Sequence, residues 1–198
     1  VPIRRGIPED LRPAAAALYW QAFGTKLARV LGPRDRAVDF LTRNLRPDNA
    51  IAAIAGNGQL LGLVAFQTPA GAFTDFTVRS LAVSYGWPGA LWRVLVLWML
   101  KNEVDNARFL IDGLCVAPAA RGQGVGSRLL SEAAALAAER DYREIRLEVT
   151  DTNPRARALY QRLGFVPLRT ERLGLLRYVF GFEAATTMVR PVAEWPAT

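Results

Sequence analysis

Arg121-Gly122-Gln123-Gly124-Val125-Gly126 stands between an apolar run, Phe109 to Val116, and a segment from Gly124 to Arg140 with helical spacing. In that segment Leu129, Leu130, Ala133, Leu136 and Ala137 share one face. Glycines let a strand-to-helix turn close tightly with its N–H groups pointing outward. Those groups, with the positive end of the following helix, suit an anion such as a pyrophosphate. Arg121 and Arg128 add charge at the same place. Two rival phosphate loops fail on spacing. A dinucleotide fingerprint needs its third glycine where this chain has Ser127 or Leu129, and a P-loop needs a lysine where Gly126 is followed directly by Ser127. A turn that holds no ligand is the alternative.

Working outward, the run 109–116 is broken by Gly113, and a glycine inside a strand marks a bulge or a close approach. Arg143 to Thr150 alternates, with Ile145, Leu147 and Val149 on one side and Arg146 and Glu148 on the other. Asn153 caps a short helix with Pro154 at its first position, and Gly164 stops it. Residues 169–177 and 184–190 read as a closing pair of strands. Toward the N-terminus the pattern predicts a strand at 2–5, a helix over 9–23 and a second over 34–45. Two strands, 51–55 and 59–66, join at Gly56-Asn57-Gly58. Residues 70–107 form a less regular stretch with an apolar helix near Trp87 to Lys101. The order is mixed α/β around one sheet.

The 198 residues are expected to form one domain. They carry 25 basic and 18 acidic groups, a net charge of +7. That balance favours anionic ligands, but the charges are interleaved, which is the pattern of a solvated surface, and no nucleic-acid motif stands in the chain. No nucleic-acid partner is expected. There is no histidine and Cys115 is the only cysteine. This excludes histidine-based triads and Cys-pair or HExxH metal sites, so no metal is expected and acid–base work falls to carboxylates, tyrosine or water. The apolar run from Trp87 to Leu100 is too short to span a bilayer and is interrupted by Arg93, so no membrane partner is expected. With no secretory signal and one cysteine, a cytoplasmic location is expected. The chain opens on Val1, which leaves a segment removed upstream open.

Residues 109–166 resemble the GNAT superfamily of acetyl-CoA-dependent N-acetyltransferases. Its pyrophosphate signature, Gln/Arg-x-x-Gly-x-Gly/Ala, is met by Arg121, Gly124 and Gly126. Its second motif, Asn-x-x-Ala-x-x-Leu-Tyr-x-x-x-Gly-Phe, is met by Asn153, Ala156, Leu159, Tyr160, Gly164 and Phe165. The resemblance implies a central mixed sheet splayed between its fourth and fifth strands, here 109–116 and 143–150. Acetyl-CoA as co-substrate would lie in that opening, with pantetheine along Leu114, Cys115 and Val116. Its pyrophosphate would sit on the amides of Gly122, Gln123, Gly124, Val125, Gly126 and Ser127.

The implied reaction is direct attack by a primary amine, small or at a peptide N-terminus, on the thioester. In it Tyr160 would protonate the leaving thiolate and Asp112 would take the amine proton, through water because its side chain is short. Glu148 and Asp75 are alternative bases, with a solvated role the first reading for Glu148. Asn153 is first a cap and second a CoA contact, and Cys115 is an apolar strand residue. Residues 109–166 would be the acetyl-CoA-binding core and 71–107 a substrate-side insertion. The apolar helix suggests a homodimer. The competing class is a catalytically silent acyl-CoA-binding or regulatory module on the same fold.

Overall fold

Alternating apolar runs bounded by glycine and proline become strands β1 (Ile3–Arg5), β2 (Ala50–Ile54), β3 (Leu60–Thr68), β4 (Gly71–Ala72), β5 (Arg108–Val116), β6 (Glu144–Thr150), β7 (Val166–Arg172) and β8 (Ala184–Pro191). The computed structural model describes residues 1–69, 71–74, 76–99, 108–174 and 177–195. Asp75, Leu100 and Lys101 lie outside them. Among the described residues the strands form one sheet in the order β1-β2-β3-β5-β6-β8-β7, with β4 paired to β3. Every pairing is antiparallel except β5 with β6. The two-residue β4 makes the expected fourth and fifth strands β5 and β6.

The helices are α1 (Arg12–Leu31), α2 (Arg34–Asn44), α3 (Val78–Tyr85), α4 (Trp87–Met99), α5 (Val125–Glu139), α6 (Pro154–Arg162) and α7 (Arg177–Phe180). α1, α2, α3 and α4 supply one core against the sheet, and α5 and α6 supply the other. On α5, Leu129, Leu130, Ala133 and Ala137 are fully buried, and each leucine contributes about 1.5–3 kcal/mol. Arg5 ties β1 to the outer face of α5 through Glu132 at 2.7 Å and Glu139 at 2.5 Å.

Three expectations are corrected. The first helix does not run over 9–23: a single 3₁₀ turn covers Glu9–Leu11, and α1 continues to Leu31 because Val30 and Leu31 are buried in the core. Residues 70–107 hold a second helix, α3, started by a Thr77–Ser80 capping box. The strand expected over 169–177 is β7, which begins at Val166 and ends at Arg172, and Arg177 opens α7 instead.

The sheet splays between β5 and β6. β5 and β6 pair only from Arg108–Glu144 to Ile111–Leu147. Beyond that point β5 stays paired to β3 and β6 to β8. The cause lies at Asp112, an extra residue that the β3–β5 register steps over between Ala65↔Gly113 and Phe66↔Ile111. Such a bulge bends its strand and increases its twist.

Candidate active site

The glycine turn follows β5 after a 3₁₀ turn, Pro118–Ala120. Gly122 and Gly124 have φ of +77° and +76°, with nothing within 4 Å of where a Cβ would stand, so it is the backbone that demands glycine there. At Gly126 the constraint is space: an added Cβ would lie 3.4 Å from Leu159 and 3.5 Å from Leu114. The Arg121 Nε donates to the Val116 carbonyl at 3.1 Å and Gln123 Nε2 to the Ala119 carbonyl at 2.8 Å, which hold the loop in shape. Among the described residues nothing accepts from the amides of residues 122 to 127, and the first turn of α5 carries no acid. Six N–H groups of the turn and the first residues of α5 are thus unengaged among the described residues. Val125 is buried, Ser127 half-buried and Arg128 exposed.

β5 presents a second row of unused groups. From Asp112 to Val116 its edge toward β6 is unpaired, while Leu114, Cys115 and Val116 pair across the other edge with Val64, Leu63 and Gly62. An extended chain with amide groups can add to such an edge. The glycine turn stands at the same end of the sheet, separated from this edge by residues 117–121, whose Ala117, Ala120 and Arg121 amides bond within the protein.

Asp112 and Glu148 flank the fork, each one residue beyond the last β5–β6 pair. Both are half-buried. Glu148 therefore does not have the solvated position expected of it; it lies 3.6 Å from Arg146 and within electrostatic reach of Asp112. Burial first, and the Glu148 charge second, push the Asp112 carboxyl up to about 7. Gly113, next along, lies under the Phe23 ring, 2.6 Å from where a Cβ would stand.

Asn153 accepts from the Ala156 amide at 3.1 Å and caps α6, which turns Tyr160 inward. Tyr160 is buried, 5.9 Å edge-on from Phe165. Its hydroxyl makes no hydrogen bond among the described residues. Burial, then the neighbouring Cys115, push its phenol up to about 12. Cys115 is buried and its thiol is raised far above its ordinary value, which leaves it without a thiolate.

Sequence reasoning did not single out Tyr19 and Phe23 of α1. Tyr19 is buried, stacks at 4.7 Å on Phe23 and 5.6 Å on Phe73, and feels Asp112 electrostatically. The signal was available: Ala15, Tyr19 and Phe23 recur every four residues. Asp75 lies outside the described residues. A cleft of about 380 Å³, lined by Asp151, Arg172, Gly174, Arg177, Glu183 and Ala184, opens beyond the end of β6, and α7 at its wall touches α1.

Known proteins are similar to this chain. Streptothricin acetyltransferase of Streptomyces lavendulae is 43% identical over 60 residues, 30% of this chain and 32% of that one. Thialysine N-epsilon-acetyltransferase of Mus musculus is 32% identical over 105 residues, 53% of this chain and 56% of that one. The matched stretches thus span about a third to just over half of these curated relatives. The crystal structure of an N-acetyltransferase from Staphylococcus aureus Mu50 superposes with a TM-score of 0.65 at 16% identity, covering 96% of this chain and all of that one, and so shares the fold. The acetyltransferase (GNAT) family matches residues 13–165, a span that holds β2 to β6, the glycine turn and Tyr160, and the chain belongs to that family.

Proposed function

We propose that the protein is an acetyl-CoA-dependent N-acetyltransferase that passes the acetyl group directly to a primary amine. One observation carries this reading: six unengaged amides, of residues 122–127, stand at the same end of the sheet as the open edge of β5 and the fork that holds Asp112. The amides would hold the pyrophosphate, and residues 114–116 would hold pantetheine.

At the fork a neutral amine attacks the thioester carbonyl carbon, and the carbon–sulfur bond breaks. Asp112, directly or through one water, takes the amine proton. A base with a pKa near 7 is matched to that task near neutral pH. Tyr160, with its phenol held protonated, gives its proton to the departing thiolate. The buried, protonated Cys115 argues for direct attack over an acyl-enzyme.

The acceptor would approach from the α1 side, past Tyr19 and Phe23, through the cleft at the end of β6. The name thialysine N-epsilon-acetyltransferase points to an amine at the end of a side chain, and that slender shape suits a narrow fork. A panel of thialysine, streptothricin, amino acids, polyamines and peptide N-termini, read by release of free CoA, tests the reading. Turnover that depends on a primary amine supports it. Acetyl-CoA binding with no turnover on any acceptor would leave a silent acyl-CoA-binding module instead.

A further inference from the structure

Glu148 stands across the mouth of the fork from Asp112, each one step past the Ile111↔Leu147 pair. Ile145, Leu147 and Val149 of β6 enter the core formed with α5 and α6. The alternation of a strand therefore turns Arg146 and Glu148 the other way, toward α1. Asp112 faces the same side, since it acts electrostatically on Tyr19 of α1 and feels Glu148.

Among the described residues neither carboxylate accepts a hydrogen bond. Arg146 comes no closer to Glu148 than 3.6 Å, longer than a hydrogen bond, and it stands at the paired end of the fork, opposite Leu110. Both oxygens of Glu148 are thus left to the opening. Half-buried carboxylates without donors are unfavourable until something supplies them. Two carboxylates against one guanidinium also leave the group one positive charge short. On the α1 side the Phe23 ring lies over Gly113 with Tyr19 stacked on it at 4.7 Å, and aromatic rings are compatible with a cation.

We propose that Glu148 anchors the acceptor's ammonium group, so that the site selects amines which arrive as cations. This deepens the N-acetyl transfer proposed above and rests on it. An ammonium brings three N–H donors and one positive charge, which is what the two carboxylates lack. The work then divides between them. Glu148 accepts a hydrogen bond from the nitrogen and keeps it, while one N–H proton passes to Asp112 and leaves the neutral amine that attacks. An amine that arrives neutral would make only uncharged-donor hydrogen bonds to Glu148, which are weaker than those of a cation to a carboxylate.

Two amines of nearly the same shape test it: n-propylamine, a cation at neutral pH, and O-ethylhydroxylamine, which is neutral there. Calorimetry of each against the CoA-loaded full chain should show the cation binding about ten-fold or more tightly. Glu148→Gln should remove that preference with CoA affinity unchanged, and Glu148→Asp, which keeps the charge, should retain part of it. If the glutamine variant does not fold, Glu148→Ala replaces it. In turnover Glu148→Gln should raise the propylamine KM about ten-fold and leave kcat within about three-fold. A fall in kcat at unchanged KM would make Glu148 the base and overturn the proposal. So would no binding of the cation, equal affinity of the parent for both amines, or a preference that survives Glu148→Gln. Release of free CoA reports separately on acetyl transfer: a preference lost in Glu148→Gln, without turnover on any amine, keeps the ammonium site and removes the transferase reading.

Discussion

Burial raises both Tyr160 and Asp112, but near neutral pH the phenol stays protonated while the carboxyl titrates, so their replacements should fail differently. Tyr160→Phe keeps the ring against Phe165 and removes only the hydroxyl. The expected result is a kcat lower by about 10²-fold with acetyl-CoA affinity nearly unchanged. An unaltered kcat would reduce Tyr160 to a packing residue. For Asp112 the readout is pH. As its carboxyl is raised to about 7, the basic form accumulates through that pH, and kcat/KM should climb along the same limb. Asp112→Asn should lower the rate near neutral pH and remove the limb, with partial recovery at alkaline pH where more free amine exists. Stability gives an independent sign. A carboxyl raised from 3.8 contributes stability below about pH 4 and loses it as pH rises through about 7, so the variant should flatten that part of the stability curve. A pH–rate profile identical to the parent's would remove Asp112 and turn attention to Glu148.

At the scale of elements, the cradle is a backbone device, so bulky side chains should disable it without touching a catalytic group. Ligand at a hundred times its Kd stabilises by about 2.7 kcal/mol, which for a chain of this length raises Tm by roughly 5–10 °C. Gly124→Val/Gly126→Val should abolish that rise for acetyl-CoA while the unliganded protein keeps its fold; a full rise in the double variant would sink the cradle. This element was legible because its glycines carry both geometry and spacing, and α6 was legible through Asn153, Pro154 and Gly164 for the same reason. α1 was not. Its apolar pattern lapses at Gly24-Thr25-Lys26, and only tertiary burial of Val30 and Leu31 carries the helix on. β7 was misplaced because all seven of its residues are exposed, so no buried face printed an alternation. The proximity of Tyr19 to Asp112 joins residues 93 positions apart, which no local spacing reveals.

Across the whole molecule, four residue pairs between β5 and β6 join two antiparallel halves, β1-β2-β3-β5 and β6-β8-β7. The halves part at Asp112, and everything assigned to the donor lies in or beside that parting. Without a ligand the amides of residues 122–127 have no protein acceptor among the described residues, and the β5 edge from Asp112 onward faces the gap. Such groups should exchange their hydrogens readily, because exchange follows local opening and not global stability alone. α5, by contrast, buries Leu129, Leu130, Ala133 and Ala137 and should be among the slowest segments with or without ligand. Acetyl-CoA should therefore slow exchange at 112–116 and 122–127, with α5 unchanged until global unfolding. An acceptor analogue added afterwards should extend protection to Tyr19, Phe23 and the cleft segment at 172–174. Hydrogen exchange read by mass spectrometry with the two ligands added in turn checks both steps. Protection by acetyl-CoA that appears at 172–184 and spares 122–127 would place the donor in the cleft, and the assignment of the two halves of the site would have to be reversed.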